Sequence, residues 1–174
     1  EREKNQMSYS DILKKSKNLI LRGAPGTGKT HLAIDIANEL TDGNKDQIGF
    51  VQFHPSYDYT DFVEGLRPVS NGDGTIEFKL VDGIFKKFCQ KVRDVKKTGG
   101  KDKFVFIIDE INRGEISKIF GELFFSIDKG YRGEKGSVST QYANLHETDE
   151  KFYIPDNVYI IGTMNDIDRS VDTF

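Results

Sequence analysis

Apolar and polar positions follow two different periods along this chain, and the switches between them outline its elements. Four short runs are apolar almost throughout: "NLILRG" (Asn18 to Gly23), "IGFVQF" (Ile48 to Phe53), "FVFII" (Phe104 to Ile108) and "NVYII" (Asn157 to Ile161). Such runs predict strands buried on both faces. Between them the period becomes helical. From Lys29 to Leu40, the side chains of Ala33, Ile36, Ala37 and Leu40 share one face. Asp82 is placed to cap a helix with Ile84, Phe85, Phe88, Cys89 and Val92 on one side. A third helix is expected from about Glu115 to Ile127, with Ile116, Ile119, Phe120, Leu123, Phe124 and Ile127 in one stripe. "PVSNGDGTIEF" sets Asn-Gly and Asp-Gly turn chemistry between strand-like flanks and predicts a β-hairpin. Gly133 to Glu150 is polar and irregular, with a second hairpin expected around "STQYA" and "KFYI".

Apolar strands alternating with amphipathic helices predict an α/β fold: a parallel sheet flanked by helices on both faces, interrupted by β-hairpin insertions. The pattern shows no internal repeat. It divides into a lead-in over residues 1–17 and one core domain over residues 18–174.

Composition narrows the classes. The 174 residues carry a formal net charge of −3, which argues against a dedicated DNA-binding surface and leaves room only for a local basic patch. The single cysteine, Cys89, excludes an internal disulfide and fits a reducing, cytoplasmic compartment, where it reads as a small core residue. No apolar run approaches the ~20 residues of a membrane span, so no membrane partner is expected. The start, "EREKNQMSYS", has no signal-peptide pattern and no initiator methionine, and reads as cut from a longer protein. His31, His54 and His146 do not cluster with Cys89 or one another at metal-ligand spacing, so no zinc site is expected.

The chemistry sits at strand ends. "GAPGTGKT" (Gly23, Ala24, Pro25, Gly26, Thr27, Gly28, Lys29, Thr30) fits G-x-x-x-x-G-K-[ST] in full, with a strand before it and a helix after it. Backbone N–H groups of such a loop turn inward around phosphates, and the positive helix end adds to the field. Lys29 can reach the β- and γ-phosphates, and Thr30 can hold Mg²⁺. "FVFIIDE" leaves Asp109 and Glu110 at the carboxyl end of a buried strand, where ligands of a parallel sheet bind. Asp109 suits the Mg²⁺ shell; Glu110 suits polarising a water for attack on the γ-phosphate. A P-loop kinase of small molecules has no need of that glutamate, whereas a hydrolase has. "GTMNDIDRS" (Gly162 to Ser170) follows the fourth strand. Alone it reads as a loop with Asn165 as a turn former. Beside two other strand ends, Asn165 can bind the γ-phosphate or orient the water.

P-loop, Asp-Glu pair and strand-terminal Asn, in this order, resemble the AAA+ ATPases. "VQFHPSYDYTDFVEGLRP", "DGIFKKFCQ", "FIIDEINRGEISKIFGELF" and "NVYIIGTMNDIDRS" make the chain similar to the McrB family, the NTPase motors of modified-cytosine-dependent restriction systems, over about Asn18 to Asp172. The resemblance implies an AAA+ core that hydrolyses GTP, or ATP, with Mg²⁺. It implies a self-assembled ring, expected as a hexamer, that drives a McrC-like nuclease subunit, with DNA read mainly by regions outside this chain. It makes Asn165 the sensor asparagine and Asp168 the acidic end of the signature loop. It likens Arg113 to an arginine acting on a neighbouring subunit's nucleotide; a surface ion pair with Glu110 or Glu115 is the plainer reading. Arg169 is an interface candidate only. The family's loop runs Met-Asn-Thr-Ala-Asp, and here Asp166 and Ile167 replace the central pair, adding a carboxylate near the γ-phosphate. The resemblance also implies an arginine-rich segment, a fifth strand and a helical lid after Phe174, and a DNA-reading module ahead of Asn18. A fragment without the lid is expected to hydrolyse weakly or not at all. "NKD" (Asn44 to Asp46) lacks the spacing of a guanine-binding motif and reads as a loop.

Two other readings compete. One is an ATP-hydrolysing remodeller of the MoxR or dynein-like branch acting on proteins. The other is a nucleotide-gated assembly module without essential turnover.

Overall fold

The computed structural model of the chain describes residues 8–100 and 102–166. In chain order the elements are α1 (Tyr9–Ser16), β1 (Asn18–Gly23), α2 (Lys29–Thr41), β2 (Ile48–Gln52), α3 (Tyr59–Phe62), β3 (Glu64–Ser70), β4 (Ile76–Asp82), α4 (Ile84–Lys97), β5 (Phe104–Asp109), α5 (Ile116–Phe120) and β6 (Val158–Asn165). They divide between two compact units.

The first unit comprises Glu1–Phe53, Asp102–Arg113 and Tyr159–Phe174. Its sheet has the strand order β1-β6-β5-β2, with β1 parallel to β6 and β2 parallel to β5. The central strands β5 and β6 are apolar and buried along nearly their whole length, as expected for strands covered on both faces. The outer strands depart from that expectation. They lie at the sheet edges, so Ile20 on β1 and Phe50 on β2 remain 46% and 43% exposed. One face of the sheet packs Leu21, Val105, Ile107 and Ile161 against the α2 stripe of Ala33, Ile36, Ala37 and Leu40. The lead-in contributes to this core. Ser8 caps α1 by accepting from the Asp11 N–H at 3.2 Å, and Leu13 of that helix is fully buried in the same cluster. On the opposite face Gly162 leaves room for two isoleucine side chains. A Cβ there would lie 2.6 Å from Ile20 Cδ1 and 3.2 Å from Ile111 Cδ1.

The second unit comprises His54–Lys101 and Gly114–Val158. Its core joins Phe62, Phe85 and Phe120, with ring centroids 4.7 to 5.8 Å apart. In "HPSYDYTDF" the later aromatics pack: Tyr57 meets Phe62 edge-on at 6.3 Å, and Tyr59 and Phe62 are buried, while His54 to Ser56 stay exposed. Asp58 and Asp61 form a reciprocal capping box on α3, whose Tyr59 and Phe62 are buried. The expected hairpin forms as antiparallel β3 and β4, closed across Asn71 and Thr75.

Three sequence expectations are corrected in this unit. The helix expected to Ile127 ends at Phe120 and continues as a 3-10 run over Gly121–Ile127. Gly121 takes φ 55 and ψ −132, and a Cβ there would meet the Tyr59 ring at 2.7 Å, so the chain leaves α geometry at that contact. Phe124 consequently faces outward instead of joining the stripe. Asp82 does not cap α4. Gly83 occupies the cap, held by its N–H to Val63 O at 2.7 Å, while Asp82 pairs with Lys86 at 2.9 Å. No hairpin joins "STQYA" and "KFYI": pairing is limited to the Val138–Phe152 bridge, and a 3-10 turn at Ala143–Leu145 carries the chain to His146.

That turn completes a buried ionic cluster. Glu64 is fully buried, and its carboxylate takes Lys86 Nζ at 2.8 Å and His146 Nε2 at 2.7 Å. Burial alone would raise this carboxyl, but hydrogen bonds from Lys86, Thr140 and His146 and the lysine's charge hold it below its ordinary value. Cys89 is also fully buried, and burial raises its thiol well above the usual range, consistent with an inert core residue. Among the described residues no helix is long and apolar enough to cross a membrane.

Glu64→Gln is expected to lower the unfolding free energy by on the order of 2 kcal/mol near neutral pH, because it removes one of the two carboxylates that pair Lys86 and leaves Asp82 as the other. The folded carboxyl titrates below its unfolded value. The stabilisation is therefore complete above about pH 4.3 and is lost as pH falls through the folded value. Denaturant unfolding of wild type and variant should converge in acid; a gap independent of pH contradicts the ionic account.

Candidate functional site

In the first unit the carboxyl ends of β1, β5 and β6 meet the start of α2 around a cavity of about 430 Å³. The loop between Gly23 and Lys29 supplies its floor. Gly26 and Gly28 take φ 78 and φ 83, a region costly for any residue with a Cβ. These two reversals fold the loop so that Pro25, Gly26 and Gly28 line the cavity together with Lys29 and Thr30. Lys29 curls back over the loop, and its ammonium donates to Gly23 O (3.0 Å), Ala24 O (2.7 Å) and Thr27 Oγ1 (3.3 Å). Thr27 in turn donates to Ala24 O at 2.8 Å, which closes the turn.

Opposite the loop stand the two carboxylates. Consecutive strand residues point to opposite faces. Glu110 escapes that rule because it takes φ 51, outside the strand region, so that Asp109 and Glu110 line the same cavity. Asp109 Oδ1 accepts the Thr30 hydroxyl at 2.7 Å and the Thr163 hydroxyl at 2.6 Å. Its Oδ2 takes no hydrogen bond among the described residues. Glu110 Oε2 accepts from Gln52 Nε2 (2.7 Å) and Arg113 Nη1 (2.9 Å), and Oε1 lies 3.4 Å from Asn165 Nδ2. The hydrogen bond from Arg113, then that from Gln52, holds the Glu110 carboxyl below the ordinary carboxylate value. Glu110 is accordingly ionised at neutral pH.

The strand-end residues singled out in the sequence therefore meet: the loop from Gly23 to Thr30, Asp109, Glu110 and Asn165. Arg113 is exposed and forms the ion pair with Glu110 that the plainer reading expected. Asp166 departs from expectation. Its N–H donates to Gly23 O at 3.0 Å, but its carboxylate pairs with exposed Arg22 at 3.2 Å instead of entering the cavity. Ile167, Asp168 and Arg169 lie outside the described residues. Sequence reasoning missed Gln52, Thr163 and His31. Gln52 carried the same signal that identified Asn165, a polar residue at the carboxyl end of an apolar strand, and Thr163 stands two residues before Asn165 within its strand. His31 sits beside Thr30 at the cavity wall.

The family described as AAA domain (dynein-related subfamily) matches residues 18–173. The Type IV methyl-directed restriction enzyme EcoKMcrB subunit of Escherichia coli (strain K12) is 47% identical over 170 residues, covering 95% of this chain and 35% of its own length. The Type II restriction enzyme BsuMI component YdiS of Bacillus subtilis (strain 168) is 26% identical over 200 residues, covering 98% and 57%. The chain thus spans about a third and somewhat over half of these curated relatives. The first agrees with the McrB resemblance read from the sequence. A solved structure from Cytophaga hutchinsonii overlays with a TM-score of 0.45 at 15% identity, covering 92% of this chain and 37% of that one.

Alanine at Gly26 or Gly28 would meet no atom within 4 Å, so only backbone strain opposes it. Each substitution is expected to cost about 1–2 kcal/mol, a fall of roughly 2–8 °C in Tm. An unchanged melting temperature in both variants contradicts the assigned loop geometry.

Proposed function

The chain belongs to the AAA domain family, dynein-related subfamily, an α/β P-loop NTPase fold, and from that premise we propose that the cavity hydrolyses a nucleoside triphosphate. The observation that carries the reading is the convergence of the phosphate-type loop, two carboxylates and Asn165 on one cavity. Backbone N–H groups of Gly26 to Thr30 would cradle the phosphates, with Lys29 exchanging its loop carbonyls for β- and γ-oxygens. The donor set fits Mg²⁺: a hydroxyl on Thr30 and a carboxylate on Asp109, 2.7 Å apart, with Asp109 Oδ2 not engaged by hydrogen bonds among the described residues. When bound, Mg²⁺ would neutralise charge on the phosphates. Glu110, kept ionised, would accept the proton of the attacking water, and Asn165 would orient that water. Asp168 is proposed at the end of the same loop by resemblance alone.

In the isolated chain Glu110 is engaged by Gln52 and Arg113. Work as a base requires those bonds to loosen. A ring of subunits supplies a reason: Arg113, whose side chain is half exposed, would turn to the neighbour's γ-phosphate and release Glu110. The similarity to the EcoKMcrB subunit and the BsuMI component supports a ring motor, hexameric in the proposal, of a cytoplasmic restriction system with a McrC-like nuclease partner. GTP is the proposed substrate on resemblance, with ATP as the alternative. The dynein-related family assignment favours a second reading, an ATP-driven protein remodeller.

With the full-length protein, Lys29→Ala should abolish nucleotide binding, whereas Glu110→Gln should bind normally and turn over about 10²–10⁴-fold more slowly. Steady-state hydrolysis of GTP and ATP checks both points and the base preference. Undiminished turnover in Glu110→Gln removes the glutamate from the mechanism. Arg113→Ala should impair only the assembled form; the same loss in a monomer contradicts its action across a subunit boundary.

A further inference from the structure

We propose that Thr163 is a positioning residue that couples the metal-binding carboxylate to the catalytic one. This rests on the cavity being a Mg²⁺-dependent NTPase site. Thr163 lies on central strand β6, opposite Leu21 of β1, and is 2% exposed. A hydroxyl has one proton and two lone pairs. Here the proton goes to Asp109 Oδ1 at 2.6 Å, and a lone pair accepts the Glu110 N–H at 2.9 Å. One atom thus holds both members of the acidic pair, one by its side chain and the other by its backbone.

The second bond matters because of the kink. At φ 51 Glu110 has left the strand conformation, and its amide is satisfied by Thr163 Oγ1. A backbone N–H near the interior must find a partner, so this bond stabilises the turn that brings Glu110 beside Asp109. The first bond fixes the carboxylate plane of Asp109. With the Thr30 hydroxyl on the same Oδ1, the carboxylate plane is held from two sides, and among the described residues no hydrogen bond engages Oδ2, which can face the ion. A β-branched side chain suits the role, since its torsion is restricted and a buried hydroxyl cannot exchange its partners for water.

Thr163→Val keeps the shape and removes both bonds; Thr163→Ser keeps the hydroxyl. In the full-length protein, Thr163→Val should raise the Mg²⁺ concentration for half-maximal turnover and lower kcat, each by about 10–100-fold, the usual effect of removing a ligand's outer partner. Nucleotide binding through the loop should be retained. Amide hydrogen exchange at Glu110 should accelerate in the nucleotide-free Thr163→Val protein, and Thr163→Ser should return all three readouts toward wild type. A folding defect is told apart, because a smaller folded fraction lowers the rate without moving the Mg²⁺ midpoint.

Wild-type Mg²⁺ dependence and Glu110 exchange in Thr163→Val, while Glu110→Gln remains inactive, would overturn the coupling and leave the site intact. Equal impairment in Thr163→Ser and Thr163→Val would also overturn it, by making packing rather than the hydroxyl responsible. Full turnover in Glu110→Gln would overturn the reading of the site, and this proposal with it.

Discussion

A single carboxylate oxygen organises the cavity-facing edge of the first unit's sheet. Asp109 Oδ1 accepts two hydroxyl protons, one from Thr30 at the start of α2 and one from Thr163 on β6. Those bonds tie the phosphate-type loop to two central strands through side chains. The parallel sheet makes the convergence possible, because parallel strands deliver their carboxyl ends to one edge. The glycines of the loop and the left-handed turn at Glu110 then supply the local reversals that a strand or helix cannot.

The same edge contains a restraint. Glu110, the proposed base, has its carboxylate held by Gln52 and Arg113. These donors keep it ionised and also keep it occupied. An exposed guanidinium is weakly held by such a pair, so a competing anion of greater charge can draw it off. In this account turnover is a property of the assembled protein, and the isolated chain rests.

The parts of the structure that depend on local periodicity were legible in the sequence. The strands, α2 and the β3–β4 hairpin follow from runs of adjacent residues, and the loop and Asp-Glu pair follow from a motif and its position. Partners distant in sequence were not legible. The helix after Glu115 breaks at Gly121, whose φ of 55 and ψ of −132 lie outside helical geometry, and the distant Tyr59 ring leaves no room there for a side chain. Asp82 fails as a cap because Gly83 is pinned to Val63 O and Lys86 claims the carboxylate. Thr163 was passed over inside an apolar run, although a buried hydroxyl on a central strand is a group that must be bonded to something. Gln52 was hidden in the same way, at the end of a strand read only for its apolar neighbours.

The central claim is that these strand ends form a Mg²⁺-nucleotide site. Amide hydrogen exchange of the full-length protein, with and without Mg²⁺ and a non-hydrolysable triphosphate analogue, tests it most directly. The account predicts new protection concentrated at the amides from Gly26 to Thr30, with a smaller gain at Glu110 and Asn165. Saturating analogue that leaves those amides unprotected, or protects only residues of the second unit, would contradict it.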